Sequence, residues 1–112
     1  MICHLELKPG VRLHGLGVEI AWASERVREL WEEMGATACV ITSAGDGVHQ
    51  QLGGHYTGNA LDFRTKTLPG GNSLIGMRNA LSARLGPDFF ILLEAVGQEN
   101  EHLHVEFRPG KG

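Results

Sequence analysis

The sequence predicts a small α+β domain in which helices pack on a mainly antiparallel sheet. Two segments repeat apolar residues at helical spacing, and four short segments are strand-like, either alternating or continuously apolar. Their order along the chain is helix, strand, strand, helix and hairpin, which fits α+β organisation better than regular strand–helix alternation. A chain of 112 residues suits one domain with a modest core.

The first twenty residues give the weakest signal. Residues 11–22, VRLHGLGVEIAW, alternate only in part, and Gly15 and Gly17 disfavour a helix, so extended or irregular chain is expected there. Residues 24–34, SERVRELWEEM, read as a helix: Ser24 suits the N-cap, Glu25 the positive end, and Val27, Leu30, Trp31 and Met34 form the apolar stripe. Gly35 stops it. Trp22 and Trp31 are both expected in the core.

Residues 38–42, ACVIT, suit a buried strand. Cys39 lies inside it, and Cys3 and Cys39 lack CxxC spacing, so both are expected as free thiols. The polar, glycine-rich loop of residues 43–58 follows. In residues 59–65, NALDFRT, Leu61 and Phe63 point to one side, and Ala60, Asp62 and Arg64 to the other. After a turn at Pro69, Gly70 and Gly71, Asn72 is expected to cap a helix running to Leu85. Its stripe is Leu74, Met77, Leu81 and Leu85, and Gly86-Pro87 ends it. Residues 89–95 are apolar except for Glu94, and after a turn at 97–100 residues 102–107, HLHVEF, alternate cleanly. A closing antiparallel hairpin is expected.

Composition narrows the functional classes. Apolar residues make up 42% and charged residues 21%, a globular balance. The net charge is −3 with Lys and Arg scattered, which lacks the basic stripe of a nucleic-acid binder. No run is long enough to span a bilayer, and no secretory signal is visible, so no membrane partner and a monomer are expected. The GLG and PGG segments lack the strand–helix setting of a phosphate loop.

Four of the six histidines fall between Gly47 and Val105. Period two places His102, His104 and Glu106 on one face of their strand, with Leu103, Val105 and Phe107 on the core side. If that strand neighbours the one carrying Asp62, Asp62 and His104 face the same cleft, and His55, seven residues earlier on the loop, completes a metal triad. Two histidines and one carboxylate leave a coordination position open, where zinc lowers the pKa of a water to about 7. Glu101, three residues before His104, is the candidate general base. Strict alternation would turn it to the opposite face, so the role requires a turn or bulge at residues 100–102. His4 and His14 are read as incidental, and Glu106 as a solvated carboxylate or one that supports the ligands.

These residues carry a resemblance. The segment HYTGNALD, from His55 to Asp62, resembles the HxxGxAxD signature, and EHLH, from Glu101 to His104, the ExxH signature, of the zinc D-Ala-D-Ala metallopeptidases and their hedgehog-type relatives. The similarity spans Val40 to Phe107. It implies a small hedgehog or D,D-peptidase-like fold, zinc held by His55, Asp62 and His104, and Glu101 as base. The implied substrate is a peptidoglycan stem peptide, cut as by a D,D-carboxypeptidase or by an endolysin acting between L-Ala and D-Glu. Access to the wall would follow lysis or come as part of a phage particle.

The chain departs from the family pattern in two places. Gly53 stands two residues before the first ligand, where many members have Ser, and no Arg follows Thr42-Ser43 in the loop where members place an oxyanion donor. Arg64 or His49 is the expected substitute, with Ser43 and His102 in the same substrate-facing set. A different class of reading is a non-catalytic zinc-containing module for cell-wall or virion attachment.

Overall fold

The computed structural model describes residues 2–13, 15–44 and 58–109. In chain order the elements are β1 (His4–Leu7), α1 (Val18–Glu33), β2 (Ala38–Ser43), β3 (Ala60–Arg64), α2 (Leu74–Leu85), β4 (Phe89–Glu94) and β5 (His102–Phe107). The strands form one five-stranded sheet in the order β1-β2-β3-β5-β4. The protein is therefore a small α+β domain, with a mixed sheet: β1 runs parallel to β2, and the other three pairings are antiparallel.

The parallel pair lies where sequence periodicity was weakest. β1 is an exposed four-residue edge strand with no buried face to pattern it. It is held by side chains of α1: the Cys3 N–H donates to Glu32 Oε1 at 2.8 Å, and Arg28 Nη1 donates to the Cys3 carbonyl at 3.1 Å. Arg28 also bridges Glu25 and Glu32. Connecting β1 to β2 through a helix permits the parallel pairing, because a helical crossover returns the chain to the same end of the sheet.

Four local expectations need correction. α1 begins at Val18, because the stripe of Ile20, Ala23, Val27, Leu30 and Trp31 extends upstream of the predicted start, and burial of Ile20 and Ala23 outweighs the nearby glycines. Ser24 is consequently not a cap. It lies within the helix, and its hydroxyl donates to the Ala21 carbonyl at 2.7 Å. Trp22 is 44% exposed, stacked at its rim by Phe89 and Arg26 instead of entering the core. Ser73, not Asn72, caps α2 by accepting the Gly76 N–H at 2.9 Å, while the Asn72 amide donates to the carbonyls of Met34 and Pro69. Gly35, at φ +97°, ends the first helical segment as expected.

Both helices cover one face of the sheet. Trp31 of α1 meets Phe63 of β3, and Met77 and Leu81 of α2 join Leu103 and Val105 of β5 in the same buried cluster. Each such side chain contributes about 1.5–3 kcal/mol on leaving water. Cys3 and Cys39 are buried free thiols at the β1–β2 end. No described helix is long and apolar enough to cross a membrane.

The opposite face carries Asp62 and Arg64 of β3, His102, His104 and Glu106 of β5, and Glu94 of β4, all half-buried. Gly58 fixes the entry to β3. Its φ is +70°, its carbonyl accepts the Gly17 N–H at 3.1 Å, and a Cβ there would lie 2.1 Å from the Gly15 carbonyl oxygen. Only glycine fits that approach.

Candidate metal and catalytic site

The site grows out of the register of three strands. Asp62 of β3 stands directly opposite His104 of β5, and Arg64 opposite His102. On the other side of β5, His102 faces Glu94 of β4, and Glu106 faces Phe90. Alternation then puts all the polar partners on the uncovered face. At the β2 border the register slips between Ile41 and Ser43, a bulge that sets Ser43 against Asp62, and the Thr42 hydroxyl donates to the Asp62 carbonyl.

The side chains form a continuous polar chain across this face. His104 Nδ1 lies 2.8 Å from Asp62 Oδ1, and its Nε2 lies 3.0 Å from Glu106 Oε1. His102 Nε2 is 2.9 Å from Glu94 Oε1 and 3.7 Å from Asp62 Oδ2, while its Nδ1 meets the Asn100 carbonyl at 2.8 Å. Arg108 Nε donates to Glu106 Oε2 at 2.8 Å.

Electrostatics follow from these contacts. The hydrogen bond to Asp62, with that to Glu106, outweighs burial and pushes the His104 imidazole up to about 9. For His102, burial opposes the charge, but the Asn100 carbonyl, Glu94 and Asp62 together raise it above the ordinary histidine value. Burial of Glu106 is overcome by Arg108 and His104, which hold its carboxyl below the usual range.

Glu101 lies in the turn before β5, not on the strand. The Gln98 N–H donates to the Ala95 carbonyl and the Glu101 N–H to the Gln98 carbonyl, so the chain turns there and His102 enters regular pairing without a bulge. The Glu101 carboxylate accepts the Gly97 N–H at 2.9 Å and the Thr65 hydroxyl, and these two donors hold its pKa below the ordinary glutamate value. It is a carboxylate with both oxygens engaged in the turn, and the lowered pKa makes it a weaker proton acceptor than an ordinary glutamate. Glu101 and Arg64 line one cleft of about 450 Å³ together with Thr42, Asp62, Asn100 and His102.

The donor set on this face could hold a metal ion. Asp62 Oδ1 and His104 Nδ1 lie 2.8 Å apart in direct hydrogen-bond contact, and two ligands of one tetrahedral ion stand roughly 3.3–3.6 Å apart, so a shift of under about 1 Å would admit an ion between them. Ligand atoms of Asp62, Glu94 and His104 all lie within 4.8 Å of one another. Among the expected site residues, Asp62, His104, His102, Arg64, Ser43 and Glu101 gather on this face or at its cleft. His49 and His55 fall outside the described residues, as does His14. Sequence reasoning missed Glu94, whose signal was available: it is the one charge in the apolar segment FFILLE.

Comparison of the chain with protein-family models, with curated proteins and with solved structures finds no match.

Proposed function

We propose that this chain is a zinc-dependent peptidase of the D-Ala-D-Ala and hedgehog-type kind, acting on peptidoglycan stem peptides. The observation that carries the reading is the Asp62–His104 pair, in contact on the uncovered sheet face beside a cleft that Glu101 and Arg64 also line. Supporting it are the two spaced signatures containing these residues, HYTGNALD and EHLH.

In this reading His55, Asp62 and His104 would hold zinc, which would supply Lewis acidity to activate a water. Glu101 accepts the proton of the attacking water and returns it to the leaving amine. The turn bonds from Gly97 and Thr65 keep that carboxylate ionised and fixed in direction. Arg64 offsets negative charge developing on the substrate carbonyl oxygen.

The test is a digest of purified peptidoglycan, read by mass spectrometry, with metal content measured in parallel. Wild type is expected to hold about one zinc per chain and to cut one stem-peptide bond. Glu101→Gln should keep the metal and lose hydrolysis, and His55→Ala should lose both. Hydrolysis undiminished in Glu101→Gln removes the base assignment.

One observation favours a second reading. Glu94 stands within ligand range of Asp62 and His104, and four protein ligands make a closed zinc site of the structural kind. A non-catalytic zinc module for cell-wall or virion attachment would use such a site. Zinc-loaded wild type that leaves muropeptides and D-Ala-D-Ala peptides intact decides for the module.

A further inference from the structure

His104 is gripped at both ring nitrogens by different carboxylates. Nδ1 faces Asp62 Oδ1 at 2.8 Å, and Nε2 faces Glu106 Oε1 at 3.0 Å. A neutral imidazole presents one N–H and one lone pair, and whichever nitrogen keeps its proton decides where the lone pair points. Asp62 cannot settle that choice in the metal-bound state, because it is itself a ligand in the reading above.

Glu106 is not a free surface acid that happens to lie nearby. It follows His104 by two residues, so the strand period brings both onto one face. Its second oxygen, Oε2, accepts Arg108 Nε at 2.8 Å. The Arg108 guanidinium lies over the Phe90 ring at 4.1 Å from its centroid, and Phe90 meets the His104 ring edge-on at 6.2 Å. Acceptor, guanidinium and aromatic ring thus close a loop around the imidazole, on the side away from Asp62.

We propose that Glu106 is a positioning residue for the metal: it takes the Nε2 proton of His104 in a hydrogen bond, so that the Nδ1 lone pair is presented to the ion. The inference rests on the zinc reading above and adds the residue that orients a ligand. Metal-ligating histidines generally give their other N–H to a carboxylate, a backbone carbonyl or a water, and loss of a protein acceptor typically costs about 10–100-fold in metal affinity or activity. Arg108 holds the Glu106 carboxylate in place.

The experiment uses the full chain with Zn²⁺ and Co²⁺ as probes. Long-range ¹H–¹⁵N spectra of the zinc-loaded wild type should show His104 coordinated through Nδ1 with a proton on Nε2; coordination through Nε2 overturns the proposal without any substitution. Titration should show Glu106→Ala binding Zn²⁺ about 10–100-fold more weakly, with an altered Co²⁺ absorption spectrum. Glu106→Gln, which retains a carbonyl acceptor, should recover the wild-type spectrum and most of the affinity. A folded Glu106→Ala with wild-type affinity and spectrum overturns this inference alone. Failure of wild type to bind either ion overturns the zinc reading together with it.

Discussion

On β3, Leu61 and Phe63 are almost wholly buried beneath the helices, whereas Asp62 and Arg64, each one residue away, stand half-buried on the uncovered face. The same contrast runs along β5, where Leu103 and Val105 alternate with His102, His104 and Glu106. The helix-covered face is held by non-directional burial, which tolerates any well-packed apolar set. The other face is organised by directional contacts of fixed donor and acceptor, which stabilise little when solvated but define one chemical arrangement. The comparison teaches that the two faces share strands yet are separable: one supplies apolar burial, the other a fixed set of directional polar contacts.

The largest effect that would break this separation is expected at Phe63. Phe63→Ala removes a ring packed against Trp31 and should cost about 3–5 kcal/mol in urea unfolding. Arg64→Ala, its neighbour on the other face, should stay within about 1 kcal/mol while lowering turnover. Equal losses at both positions would show that the polar face is part of the stability core.

A smaller effect sharpens the comparison through pH. The metal-free folded protein holds the His104 proton up to about 9, whereas the unfolded chain releases it near the ordinary histidine value of 6.5. The stabilisation by Asp62 and Glu106 is therefore complete below about pH 6.5 and lost as pH rises through 9. Its size is on the order of 3 kcal/mol. Metal-free wild type should lose denaturant stability between pH 6.5 and 9.5, and His104→Gln should lose less; an identical slope in both removes the pair from the stability balance.

The smallest expected effect lies away from both faces. Ser73→Ala deletes the α2 cap and should cost about 1 kcal/mol by urea midpoint, leaving zinc binding unchanged. A change in metal affinity there would couple the helix layer to the site.

Much of this plan was legible because it is local. Period two in NALDFRT and HLHVEF already separated core from polar residues and put Asp62 and His104 on the polar side. Less legible were Trp22, exposed although aromatic, and Ser24, buried in mid-helix although a good cap former. Both depend on where α1 starts, and burial of Ile20 and Ala23 against the sheet sets that.

By itself the sequence determined which residues share a face, because side-chain direction follows from backbone geometry over a few residues. It could not determine that β1 joins the sheet in parallel, that Asp62 meets His104, or that Glu94 meets His102. Those are pairings between segments as much as 42 residues apart, fixed by strand register, and register is chosen only when the whole apolar face is buried at once.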